Sequence, residues 1–235
     1  MITIKVSLSL VLFSLLTAGC KPQTPTVIET QTSLPSATTP VVVDETDIDY
    51  NSSEWTELTP KDNVTIDIRY ATSNNFVKVP VYPCGRCFLK PEVAKALKKV
   101  NQELINKGFK LKLFDCYRPT PAQQKLWDKV PNPDYVARPS EGSMHSRGSA
   151  IDLTLTDLQG NEIDMGTPYD FFGREAHQDY TNLPQPILSN RLMLKSAMEA
   201  GGFQAIRTEW WHFSFGKGLP PLEDWQWPCE VKNEK

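Results

Sequence analysis

The stretch that most constrains this 235-residue chain is Ser143-Met-His145-Ser-Arg-Gly148-Ser-Ala-Ile151-Asp152-Leu-Thr-Leu155. Ile151, Leu153 and Leu155 alternate with Asp152 and Thr154, the period of a strand, so the apolar three fall on one face and Asp152 on the other. His145 precedes them on a Gly- and Ser-rich turn that can fold its imidazole back toward the Asp152 carboxylate. Imidazole nitrogen and carboxylate oxygen are ligands for a divalent ion such as zinc. A second stretch, Glu209-Trp-Trp-His212-Phe-Ser-Phe215, supplies a third ligand. Trp211, Phe213 and Phe215 alternate with His212 and Ser214, a strand with His212 on its polar side. Glu209 is an odd number of residues from His212 and would point away in a regular strand, so a bend or bulge at Glu209 or Trp210 is expected. Each residue taken singly has a plainer reading, a structural strand His or a solvated Asp. Two of the three histidines in the chain, however, fall in these two carboxylate-bearing stretches. Three protein ligands leave a fourth zinc position for water, as in catalytic sites, with Glu209 beside it as a proton acceptor.

The spacings Ser143-x-His145-x-x-Gly148-x-Ala150-x-Asp152 and Glu209-x-Trp211-His212 resemble the two zinc motifs shared by VanX-type D-alanyl-D-alanine dipeptidases, related D,D- and L,D-carboxypeptidases and the Hedgehog signalling domain. Three more stretches, Tyr70-Ala-Thr-x-x-Asn75-Phe76, Asp115-Cys-Tyr117-Arg118-Pro119 and Met165-Gly-Thr-Pro-Tyr-Asp170-Phe, resemble the dipeptidase branch, so the similarity runs from about Thr65 to about Trp225. The resemblance implies one Zn2+ per chain on His145, Asp152 and His212, with Glu209 as general base and proton shuttle. It also implies that Arg118 points at the scissile carbonyl, where a fixed guanidinium fork stabilises an oxyanion. Asp170 is implied at the free ammonium of a small dipeptide and Ser143 near its carboxylate, with Tyr70 and Phe76 lining the pocket. On residue type alone, Tyr70 and Phe76 read equally as core aromatics and Asp170 as a helix cap. The implied activity is hydrolysis of D-Ala-D-Ala. Two other readings share these residues: a D,D- or L,D-carboxypeptidase or endopeptidase acting on peptidoglycan stem peptides, and a non-catalytic zinc-bearing wall-binding lipoprotein. His177, within Arg174-Glu-Ala-His177-Gln-Asp179, lacks a partner motif and is expected at the surface or behind the ligands.

Residues 1–19 read as a lipoprotein signal peptide: Ile2 to Ala18 is apolar or small apart from Lys5 and runs into Ala18-Gly19-Cys20. That ending resembles a bacterial lipobox, which implies acylation of Cys20 and an exported chain anchored by lipid to a membrane of the cell envelope. Residues 20–49, rich in Thr, Pro, Val and Ser with no aromatic, are expected to form a disordered tether with a reach of about 30 Å. Residues 50–235 suit one domain with a full core. Net charge is −3 and no basic run is interleaved with aromatics, which argues against a nucleic-acid partner.

Within that domain the pattern predicts a strand over Val64 to Tyr70, a helix over Pro91 to Lys107 stopped by Gly108, and a strand from Phe109 delivering Asp115 to Arg118. Further helices are predicted from Thr120 to about Val130 and from about Asn190 to Ala200. This order favours an α+β fold with one mixed or antiparallel central sheet, flanking helices and the zinc site on the sheet. With Cys20 set aside, Cys84, Cys87, Cys116 and Cys229 make an even number in an exported chain, hence two disulfides in one of three pairings. A redox pair or half a zinc knuckle at Cys84-Gly-Arg-Cys87 is the alternative. No second Cys-x-x-Cys completes a knuckle.

Overall fold

A computed structural model describes residues 48–229. The expected signal peptide, the lipid site at Cys20 and the tether up to residue 47 lie outside the described residues. Among the described residues, no helix is long and apolar enough to cross a membrane.

The domain is α+β, with three helices and a five-stranded mixed sheet. Its elements in chain order are β1 (Thr56–Leu58), β2 (Thr65–Ile66), β3 (Cys87–Leu89), α1 (Pro91–Ile105), β4 (Phe109–Asp115), α2 (Thr120–Lys129), β5 (Ala150–Asp157), α3 (Gln185–Ala200), β6 (Phe203–Ala205) and β7 (His212–Phe215). The main sheet runs β2-β4-β5-β7-β6, with β2 parallel to β4 and the other neighbours antiparallel. β1 and β3 form a separate antiparallel pair.

The helix α1 begins at Pro91, whose missing N–H costs nothing in a first turn, and it buries Val93, Leu97, Val100 and Leu104 at about 1.5–3 kcal/mol per side chain. Asn101 in its middle is buried because it is fully used. Its amide donates to the Asp62 and Asn63 carbonyls at 3.3 and 3.1 Å, and its Oδ1 accepts from the Leu111 N–H at 2.9 Å, tying α1 to β4. α3 packs against β6 and α1. It starts five residues ahead of the expected Asn190, because Pro184 and Pro186 set its first turn without an apolar repeat to announce it.

The strand expected over Val64 to Tyr70 is cut to two residues. Asp67 N–H still bonds the Leu113 carbonyl, but Asp67 and Arg69 then close on each other at 2.8 Å and the chain turns into a 3-10 helix over Arg69–Ala71 that buries Tyr70.

Register decides where the site falls. Directly opposite residues share a face, so Leu111, Leu113 and Phe213, paired with Leu155, Leu153 and Ile151, continue the apolar face of β5. Between Leu113 and Asp115 the register shifts by one, a bulge that turns Asp115 onto the other face, opposite Asp152. His212 pairs with Asp152 from the far side. Asp115, Asp152 and His212 therefore line up across three strands. This polar face is itself buried from Asp152 to Thr156, covered by the segment that follows β5.

Two disulfides, Cys84–Cys229 and Cys87–Cys116, select one of the three pairings, with Cα separations of 5.9 and 5.3 Å. The first fastens the irregular C-terminal segment, whose Trp225 and Trp227 pack on Trp55, Tyr82, Phe88 and Tyr117.

Candidate active site

His145 lies on a 3-10 turn, His145–Arg147, that ends at Gly148 with φ 66. A side chain there would be strained in the left-handed region and would also meet the Trp55 ring at 2.7 Å, so glycine is what lets the turn fold back on β5. His145 Nε2 stands 3.2 Å from Asp152 Oδ1 and 3.1 Å from His212 Nδ1, and His212 Nδ1 stands 2.9 Å from the same Oδ1. The Cys116 carbonyl, 2.7 Å from His145 Nδ1, only accepts, so Nδ1 donates to it and Nε2 is the nitrogen turned toward Asp152 and His212. On His212 the other nitrogen, Nε2, reaches Ser214 Oγ at 3.2 Å. Three atoms able to ligate a cation thus converge in a buried place, all within 4.8 Å of one another. A tetrahedral zinc with bonds of 2.0–2.1 Å has ligand-to-ligand edges of about 3.3–3.4 Å. The donor set and its spacing fit such an ion.

Glu209 reaches the same place because the chain bends at Trp210 and Trp211 and β7 starts only at His212, the kind of irregularity the odd spacing required. Its Oε2 is 3.9 Å from His212 Nδ1, and Gln178 holds the bend by donating to the Trp210 carbonyl at 3.3 Å. Burial, then the Asp152 and Asp170 carboxylates, push the Glu209 carboxyl well above its ordinary range. Burial would also raise Asp152, but the His145 and His212 rings outweigh it and hold that carboxyl low.

Arg118 is buried, with Nε and Nη2 donating to Asp115 Oδ2 at 2.9 and 2.6 Å and Nη1 donating to Gln123 Oε1 at 3.0 Å. Its guanidinium lies over the Tyr70 ring, 5.2 Å from the centroid. Three of five donors are used, which leaves one on each Nη. Asp115 is satisfied in turn by Tyr82 OH and Cys116 N–H. Tyr70 OH lies 3.2 Å from both carboxyl oxygens of Asp170, which sits at φ 59. Burial and the Asp152 charge raise the Asp170 carboxyl well above normal. Phe76 packs edge-on to Tyr70 and Phe172, while Asn75 pins its loop through carbonyls of Arg69, Thr72 and Val79. Ser143 Oγ accepts from the His145 N–H at 3.2 Å.

All nine residues named from the sequence, Tyr70, Phe76, Arg118, Ser143, His145, Asp152, Asp170, Glu209 and His212, line one cleft of about 280 Å3. Leu126, Val136, Ala137 and Phe172 give it an apolar wall that the sequence reading did not name. Also missed were Gln123, the partner of Arg118, and Tyr169, whose hydroxyl donates to Asp152 Oδ2 at 3.0 Å. The adjacency of Tyr169 to Asp170 was the signal available. His177 stays outside the cleft, its Nδ1 between the Arg174 and Arg207 guanidinia; burial and these two cations lower its pKa.

A family model described as D-Ala-D-Ala dipeptidase matches residues 57–230. The D-alanyl-D-alanine dipeptidase of Escherichia coli (strain K12) is 38% identical over 171 residues, 72% of this chain and 88% of that protein. The D-alanyl-D-alanine dipeptidase of Enterococcus faecium is 36% identical over 168 residues, 63% of this chain and 83% of that protein. Among solved structures, the vancomycin-resistance D,D-dipeptidase VanXYg in complex with a D-Ala-D-Ala phosphinate analogue aligns with 69% of this chain and 67% of its own at 20% identity, with a TM-score of 0.35. With three quarters of its length matched by one family model and close relatives of a single kind, this chain belongs to the D-Ala-D-Ala dipeptidase family of peptidases.

Proposed function

We propose that the protein is a zinc-dependent dipeptidase that hydrolyses D-Ala-D-Ala outside the cytoplasm. The observation that carries this is the meeting of three metal-ligand atoms with Glu209, Arg118 and Asp170 in one small cleft. Zinc held by His145, Asp152 and His212 supplies a Lewis acid for the scissile carbonyl and lowers the pKa of water toward neutrality. Glu209 takes the proton from the attacking water and returns it to the leaving amine, a role that suits a carboxyl placed in the same cleft, 3.9 Å from His212 Nδ1. The two unused donors of Arg118 stabilise the carbonyl oxygen as charge builds on it, and the ion pair with Asp115 keeps them from turning away. Asp170, held by Tyr70, pairs with the substrate ammonium; Ser143 faces the carboxylate end, and the apolar wall takes the methyl groups.

Export and a lipid on Cys20 rest on the apolar leader and its Ala-Gly-Cys ending, and the two cysteine pairs are consistent with an oxidising compartment. There the substrate is dipeptide released from the wall. Incubating metal-replete protein with D,D-, L,D- and L,L-dialanine and with a pentapeptide ending in D-Ala-D-Ala tests the reading. The expected outcome is cleavage of the D,D-dipeptide alone; preference for the pentapeptide would assign the stem-peptide activity instead, and stoichiometric binding without cleavage would assign a binding protein. Intact-mass measurement of the mature protein checks Cys20, with an unmodified cysteine rejecting the anchor.

A further inference from the structure

We infer that Tyr169 is a positioning residue for the metal-binding carboxylate: its hydroxyl occupies Asp152 Oδ2 and leaves Oδ1 as the single oxygen offered to the ion. This rests on the reading of His145, Asp152 and His212 as the metal set. Oδ1 is the atom that faces both imidazoles, at 3.2 and 2.9 Å, and Oδ2 accepts from Tyr169 OH at 3.0 Å. The next donor to Oδ2, Arg118 Nη2, is 3.9 Å away, beyond hydrogen-bond range, so among the described residues Tyr169 holds that oxygen alone.

The phenol is fixed as well as close. Its ring packs on Phe114, edge-on to Trp211 and edge-on to Tyr70, with centroid distances of 4.8, 5.5 and 6.2 Å. Those contacts stop the hydroxyl from swinging aside, and a partner held in this way sets a ligand's orientation and its strength as a donor. The residue that follows, Asp170, adopts φ 59 and sends its carboxyl to Tyr70. One turn of backbone thus sets the ligating carboxylate through Tyr169 and the ammonium-reading carboxylate through Asp170. Without the phenol, Oδ2 is free to rotate in as a second ligand and crowd the positions that water and substrate need.

The test compares Tyr169→Phe with Tyr70→Phe, which removes the hydroxyl beside Asp170 rather than the one on Asp152. Phe keeps the three ring contacts, and near-UV circular dichroism of the metal-free proteins checks that both fold. Tyr169→Phe is expected to raise the zinc dissociation constant about 10- to 100-fold in competition with a chromophoric chelator. It should also weaken the visible absorption of the cobalt-substituted protein as coordination number rises, and lower kcat more than it changes KM. Tyr70→Phe is expected to keep the wild-type zinc constant and cobalt spectrum and to raise KM. A Tyr169→Phe protein with the wild-type zinc constant and cobalt spectrum overturns the inference and leaves the metal set standing. Wild-type protein that binds no zinc, or His145→Ala that binds it as tightly as wild type, overturns the metal set and this inference with it.

Discussion

His145 and His212 offer different nitrogens to the same point, Nε2 from one and Nδ1 from the other, and the second partner of each ring explains the choice. The Cys116 carbonyl takes the Nδ1 proton of His145, and Ser214 occupies Nε2 of His212. His145→Ala removes one of three donors and should abolish stoichiometric zinc binding, measured by metal analysis after dialysis. Glu209→Gln keeps the donors and should retain one zinc per chain while kcat falls by about 10²- to 10⁴-fold. Arg118→Lys, which preserves charge but not the fork that grips Asp115 and Gln123, should lower kcat/KM by about 10²-fold, read in the same assay. At this scale the candidate ligands were legible because a His and an acid are costly to bury, and two such pairs fell on strand-like patterns. Tyr169 and Gln123 were not, because a tyrosine or a glutamine is as common in a core or on a surface, and only the fold shows whom each one faces.

At the level of elements, the site depends on the bulge in β4, the register of β5 with β7 and the cross-link at the end of β4. Cys87–Cys116 closes 29 residues and Cys84–Cys229 closes 145, so loop-closure entropy makes their removal cost about 3.6 and about 5 kcal/mol respectively. Metal binding should reverse that order. Cys116 carries the carbonyl that orients His145, whereas Cys84–Cys229 anchors a terminal segment. Replacing Cys87 and Cys116 by Ala should weaken zinc binding more, while replacing Cys84 and Cys229 should lower the melting temperature more; calorimetry and chelator competition on both double variants check this. The helix α1 and strand β4 could be read from periodicity because each shows one apolar stripe. The short β2 and the start of α3 could not, since one is ended by an ion pair and a neighbour's bulge and the other is begun by prolines alone.

For the whole molecule, several carboxyls and an arginine share one desolvated cleft, and metal-free protein carries the cost. Burial, then neighbouring carboxylates, raise Glu209 and Asp170 above their unfolded values. A group with a raised folded pKa contributes stability that is complete below the unfolded value, about 4 to 4.5, and is lost as pH rises through the folded one. These two groups should therefore lower the stability of metal-free protein as pH rises, an effect left unopposed above about pH 6.5, where the contrary contribution of His212, whose pKa burial lowers, is complete. Glu209→Gln or Asp170→Asn should flatten that slope, and saturating zinc should reduce it because a cation favours the charged carboxylates. Excess zinc at 1,000 times its dissociation constant should add about 4 kcal/mol of stability.

The most direct test is D-alanine release from D-Ala-D-Ala by the purified domain as zinc is titrated into metal-free protein, alongside His145→Ala and Glu209→Gln. The account predicts turnover that rises to a plateau at one zinc per chain in the wild type, with neither variant turning over appreciably. Release that ignores added zinc, or that persists in His145→Ala, would contradict it.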